Sequence, residues 1–180
     1  MKQSIDHYLV EGECEDRFIK SSDLIGRVER LDLSEKSTDQ INRWLTKLSG
    51  NKKKLYLNIV FDTDVLIENK VALSRFIENI RFLNKKGFQI RLLHQHKNFE
   101  EELCHSLKIN KAKLLEKFNA PSTRSFKQNF ISERKCFEKL NELNPNFNLW
   151  TSICINQLLE FEALIFEYQD LPKGPKPSGL

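Results

Sequence analysis

The order of periods along the chain predicts an α/β fold with a mainly parallel sheet flanked by helices. Three observations carry that expectation. Short apolar runs of strand length alternate with segments whose apolar residues recur every three or four positions. The segments between successive strands are long enough for helical crossovers, which favour parallel strands. No internal repeat or low-complexity tract breaks the alternation before the closing LPKGPKPSGL, and 180 residues fit one domain, or one domain with an appendage.

Taken in order, Ile5 to Val10 reads as a short strand and Glu13 to Ser21 as the helix after it. Ile25 to Leu33 reads as a second strand. Ser37 and Thr38 can cap a helix in which Ile41, Trp44, Leu45 and Leu48 share a face, with Gly50 as its stop. Leu55 to Phe61, LYLNIVF, is the strongest strand signal. A helix from about Asn69 then carries Leu73, Phe76, Ile77, Ile80 and Leu83 inward until Gly87, and Phe88 to Leu93 is a fourth strand. After Leu107 the strand signals fade. Lys111 to Phe118, Glu133 to Leu143 and Trp150 to Tyr168 read as helices of a C-terminal helical extension packed on the sheet. The expected division is a catalytic unit over 1–108, the extension over 109–168 and a flexible tail over 169–180.

Composition removes several function classes. The four cysteines, Cys14, Cys104, Cys136 and Cys154, form no CxxC pair, so neither a zinc knuckle nor a disulfide framework is expected. No early stretch has the pattern of a secretory signal and no segment approaches the length of an apolar span, so the expected location is cytoplasmic, with no membrane partner. The net charge of +4 is modest. Basic residues are nevertheless concentrated between Lys108 and Lys139, where only Glu116, Glu133 and Glu138 oppose them. Such a segment is either a solvated face or a track for a phosphate backbone. The interleaved Phe118, Phe126 and Phe130 read more readily as core than as stacking platforms.

The acids are informative by position. Glu11 follows the first strand, Asp62 and Asp64 follow the third in IVFDTDVL, and Glu100 and Glu102 follow the fourth in KNFEEEL. All three groups leave C-terminal strand ends, where open parallel sheets bind ligands at the topological switch point. Asp62 and Asp64 share a side of an extended backbone, and Glu15 stacks on Glu11 if the helix begins near Glu13. Hard oxygen donors of this kind suit Mg2+ or Mn2+, which also offset the repulsion among the acids. Each motif taken alone has a plainer reading, because helices favour acids in the first turn and DxD is a common turn.

VEGECE at Val10 to Glu15, followed by DTD at Asp62 to Asp64, resembles the glutamate motif and aspartate pair of a Toprim domain. With Glu15 in the first motif and the glutamate-rich NFEEEL after the fourth strand, the chain looks most like the overcoming-lysogenization-defect (OLD) nucleases and the smaller RloB-like proteins of bacterial defence loci. The resemblance covers roughly residues 5–107. It implies a Toprim-like (Rossmann-like) sheet and a Mg2+- or Mn2+-dependent nuclease hydrolysing phosphodiester bonds in DNA or RNA, transfer RNA among the targets. It also implies an effector role in anti-phage defence with a separate ATPase as protein partner. Carried over, Glu11 is the catalytic glutamate, acting as general base or metal ligand, and Glu15 assists at the same metal. Asp62 and Asp64 are the main metal ligands, Glu100 completes the site, Glu102 is a weaker candidate, and Lys135 in ERKCF matches an assisting lysine.

The chain departs from these patterns at identifiable points. Leu66 stands where Toprim topoisomerases and primases place a third aspartate, which argues against strand passage or primer synthesis. No GxxxxGK[ST] loop is present, so an ATPase must be a partner. HQHKN, from His94 to Asn98, replaces the small and polar residues that usually precede the third acidic motif in RloB-like proteins. IVFDTDVL also resembles the first motif of haloacid-dehalogenase phosphatases, but the next aspartate after Asp64 is Asp170, so the magnesium-binding acids of that family are missing. The remaining alternative is a non-cleaving Toprim-like binding or assembly subunit of a defence complex.

Overall fold

The computed structural model describes residues 5–48, 55–151 and 154–174. Gly50, the expected helix stop, and residues 175–180, half of the expected tail, lie outside that range. The sheet has four strands, β1 (Ile5–Val10), β2 (Arg27–Arg30), β3 (Leu55–Asp62) and β4 (Gln89–Gln95), in the order β2-β1-β3-β4. Every pairing is parallel. The protein is therefore an α/β protein with a Rossmann-like, all-parallel sheet flanked by helices, as the alternating periods predict.

Each central strand is buried on both faces, and its alternating residues divide the interior into two layers. Tyr8, Val10, Val60 and Leu93 face one layer with Phe18 of α1 (Glu13–Ser21). Leu9, Leu57, Ile59, Phe61 and Leu92 face the other, with Ile41 and Trp44 of α2 (Thr38–Leu45) and Phe76, Ile80 and Leu83 of α4 (Lys70–Lys85). Placing α1 opposite α2 and α4 is what right-handed crossovers require when the chain steps to β2 and then back to β3. β2 is shorter than the expected Ile25 to Leu33. At Gly26 an added Cβ would lie 2.6 Å from the Asp6 carbonyl oxygen, so the chain enters the sheet only through a glycine in tight contact with β1. The sequence RVER then presents mostly charged, exposed side chains along this outer strand, which discourages further strand pairing.

The C-terminal half contributes α5 (Phe99–Leu107), α6 (Lys111–Lys117), α7 (Thr123–Ser132) and α8 (Cys136–Leu143). Helix α7 adds to the expected helices; Ser122 and Ser125 form its capping box, and Phe126 and Phe130 are spaced one turn apart. Phe118, Phe126 and Phe130 are all buried, with ring centroids 5.1 to 5.4 Å apart, so they are core residues and cannot stack on bases.

The expected helix from Trp150 to Tyr168 does not form. Its described part contains 3₁₀ segments at Asn156–Leu164 and Tyr168–Asp170. Leu158, Phe161 and Leu164 recur every third residue, the 3₁₀ period, and all pack in the second layer. Ile165 then bridges to Leu92, the Phe166 N–H donates to the Leu92 carbonyl at 3.0 Å, and Phe166 and Tyr168 pack in the first layer. The segment thus crosses the open edge of β4 and serves both faces, which a single continuous helix cannot do. Residues 169–174, expected as the start of a flexible tail, are docked as well. Leu171 is buried, Lys173 bridges to Leu24, and the Gly174 N–H donates to the Asp23 carbonyl at 2.7 Å.

Candidate metal centre

Glu11 leaves the end of β1 and Asp62 ends β3. The sheet runs from β1 outward to β2 on one side and to β3 on the other, so these two acids flank the switch point where crossovers diverge. A Glu11 Oε1 atom accepts the Asp62 N–H at 3.3 Å, tying the two strand ends together. Glu15 lies one turn into α1, and Gln95 at the end of β4 donates to it at 3.2 Å. Gly12 makes room for that carboxylate, since a Cβ there would stand 2.7 Å from Glu15 Oε2. Glu100 begins α5, whose N-terminus is fixed when the Asn98 side chain accepts the Glu101 N–H at 3.1 Å.

Thr63 locks the β3 end to the β4–α5 loop. Its hydroxyl donates to the Gln95 carbonyl at 2.8 Å and accepts the Lys97 N–H at 3.0 Å, while its own N–H donates to the Lys97 carbonyl. These bonds hold the two segments in one arrangement. The resulting cleft, of ≈ 350 Å3, is lined by Glu11, Gly12, Glu13, Cys14, Glu15, Asp62, Asn98, Phe99, Glu100, Lys127 and Ile131.

Four of the five expected metal ligands, Glu11, Glu15, Asp62 and Glu100, therefore border one cleft. Asp64 sits in the first turn of α3 (Thr63–Glu68) just beyond it, where its carboxylate accepts the Val65 N–H at 2.7 Å and lies 3.4 Å from the Asn98 amide nitrogen. Lys135 is not brought to the cleft. It is exposed at the start of α8, and the lysine that lines the cleft is Lys127 of α7, whose Nζ is 3.2 Å from Glu100 Oε1. Glu102 is structural. It is fully buried, accepts the His96 N–H at 2.7 Å and the Ser106 hydroxyl at 2.9 Å, and also accepts the Trp150 N–H. His94 is buried beside Phe61, and His96 is exposed and stacked on His105, so neither lines the cleft.

Asp32, which the sequence reading passed over, acts on Glu11 and also follows a strand end, that of β2. The buried Asn79 of α4 holds its loop by donating to the carbonyls of Leu33 and Lys36, each at 2.8 Å.

The electrostatics are those of acids crowded without enough counter-charge. Burial, reinforced by Asp32 and Asp62, pushes Glu11 up to about 10. Burial, reinforced by Glu15, Asp64 and Glu100, pushes Asp62 up to about 8. Glu15 is also raised, chiefly by burial. At Lys127 partial burial is the largest single influence and acts downward, but the charge of and contact with Glu100, together with Cys14 and Glu15, outweigh it and hold the ammonium above its usual range. Burial pushes the Cys14 thiol up to about 12, so it is no thiolate nucleophile.

Asp62 Oδ1 and Glu100 Oε1 are buried with no hydrogen bond. Glu100 Oε1 has the Lys127 ammonium as its ion partner, whereas Asp62 Oδ1 has none, and a buried oxygen so placed calls for an explanation, of which a bound ion is one. The donor set is all oxygen, which fits Mg2+ or Mn2+. Among the described residues, no group of three Asp, Glu, His or Cys side chains stands close enough to hold an ion as placed, so binding requires side-chain adjustment. Also among the described residues, no helix is long and apolar enough to cross a membrane. The fold and cleft define a Rossmann-like α/β protein with an acidic switch-point site. Beyond that class, comparison with protein-family models, curated proteins and solved structures gives no match.

Proposed function

We propose that the protein is a Mg2+- or Mn2+-dependent nuclease that hydrolyses phosphodiester bonds at this cleft. The observation that carries the reading is the convergence of Glu11, Glu15, Asp62 and Glu100 on one switch-point cleft, with the buried Asp62 Oδ1 left without a hydrogen bond and Glu100 Oε1 paired with the Lys127 ammonium. Asp62 and Glu100 would hold the cation, with Glu15 beside them and Asp64 at the rim. Such an ion supplies Lewis-acid polarisation of a phosphoryl oxygen and acidifies a bound water.

The chain's own residues set the rest. Glu11, which burial and neighbouring acids keep protonated at the end of β1, would be ionised beside a bound cation and would then serve as general base. Its link to the Asp62 N–H fixes that carboxylate relative to the ligand beside it. Phe99 and Ile131 form the apolar wall of the cleft. The basic segment from Lys108 to Lys139 supports a polyanionic substrate. A bacterial anti-phage role, a Toprim-type identity and an ATPase partner are proposed on the motif resemblance alone.

A second reading, a non-cleaving binding or assembly subunit, is favoured by one observation: among the described residues, no three ligand side chains are close enough to hold an ion as placed. Cleavage of labelled DNA and RNA, including transfer RNA, with Mg2+ or Mn2+ separates the two. The nuclease reading expects metal-dependent cleavage that disappears in Asp62→Ala and Glu11→Ala. Nucleic-acid binding without cleavage, with and without an ATPase partner, would support the second.

A further inference from the structure

The position of Lys127 bears on how the cleft admits a metal, an inference that rests on the metal-site reading above. Glu100 is almost wholly buried, yet its Oε1 has no hydrogen bond and its neighbours are acids. Its nearby cation is the Lys127 ammonium, 3.2 Å away and not aligned as a hydrogen bond. Other lysines of the basic segment are engaged elsewhere. Lys111 pairs with Glu101, Lys117 with Glu142 and Lys139 with Glu133.

Helix α7 is held firmly over the cleft. Phe126 and Phe130 are buried beneath it, and the Arg17 Nε–H donates to the Ile131 carbonyl at 2.7 Å. The Lys127 side chain itself is 55 % exposed. Its flexible four-carbon stem can therefore swing into solvent without any movement of the helix. Its charge also acts on Glu15 and Asp62, the other acids an incoming cation must meet.

We propose that Lys127 is a built-in counter-ion of this site, pairing with Glu100 while no divalent cation is bound, leaving it when one binds, and so setting the site's affinity for metal. A dication at Glu100 competes with the ammonium for the negative charge of that carboxylate, and an ammonium that stays nearby repels the ion. Lys127 is in this sense a positioning and affinity-setting residue.

The test is a Mn2+ titration of the full chain, following free Mn2+ by electron paramagnetic resonance, for wild type, Lys127→Met, Lys127→Gln and Lys127→Arg. Removing the charge in the Met and Gln variants is expected to tighten binding on the order of tenfold. The Arg variant keeps the charge and is expected to stay within about threefold of wild type. Using two neutral replacements guards against a folding defect in either. If wild type takes up Mn2+ and both neutral variants bind equally or more weakly, the counter-ion role is overturned while the metal site stands. If wild type takes up no Mn2+, the metal-site reading is overturned and this inference with it.

Discussion

Raising the pH is expected to weaken the metal-free protein, with Asp62 and Glu11 as the cause. Both are ionised in the unfolded chain at neutral pH, whereas burial and neighbouring acids raise them to about 8 and about 10 in the folded one. The folded state therefore holds more protons, and its stability falls as pH rises from the unfolded values, near 4, through the folded ones. The slope is about 1.4 kcal/mol per pH unit for each fully titrating group. Burial holds His7 below its usual 6.5, which adds an opposite slope at lower pH, so the window to read lies above about pH 6.5.

Between about pH 6.5 and 8 the two acids together can remove up to roughly 4 kcal/mol, a large share of the roughly 5–15 kcal/mol typical of a domain. Asp62→Asn is expected to cut the slope by about half and to leave the metal-free protein more stable at the upper end. Urea unfolding followed by the fluorescence of the buried Trp44 and Trp150, with EDTA present, measures it. Stability that stays flat or rises across the window, or a slope unchanged in Asp62→Asn, would refute the crowded-acid account.

Three further outcomes are expected. Gly12→Ala places a methyl against the Glu15 carboxylate. It is expected to weaken Mn2+ binding by about tenfold in calorimetry while changing stability by less than about 1 kcal/mol; unchanged affinity would show that Glu15 is not at the metal. Glu102→Ala leaves the N–H groups of His96 and Trp150 without their acceptor, at an expected cost of about 3 kcal/mol in urea unfolding, and a cost near zero would contradict its structural role. Phe18, which meets the rings of Phe99, Phe137, Trp150 and Tyr168, joins the sheet to the C-terminal half. Phe18→Ala is expected to cost about 3–5 kcal/mol, and separate unfolding of the two halves would count against their shared core.

The elements that could be read from the sequence are those whose pattern answers to one environment. The runs Ile5 to Val10 and Leu55 to Phe61 meet apolar layers on both sides, and α4 shows one apolar stripe to one layer, so periodicity alone locates them. The expected helix from Trp150 to Tyr168 does not form because the segment serves two layers in turn, and its apolar residues mimic a helix without sharing a face. Helix α7 has a weak periodic signal because Phe126 and Phe130 are diluted by polar and basic residues.

At the site, Glu11, Glu15, Asp62 and Glu100 were legible because strand ends dictate where they emerge. The lysine at the cleft was not: Lys135 is the expected residue, whereas Lys127 lines the cleft. That placement depends on how α7 docks against α1 through Ile131 and Arg17, a tertiary contact with no local signature. Glu102 shows the same limit: an acid two residues from a site acid turns inward to bond the backbone.

The most direct test of the central claim is an anomalous difference map from crystals soaked in Mn2+. The account predicts a strong peak in the switch-point cleft, with carboxylate oxygens of Asp62 and Glu100 around it and the Lys127 ammonium displaced from Glu100. A cleft that stays empty while Mn2+ is bound elsewhere, or at all, would contradict it.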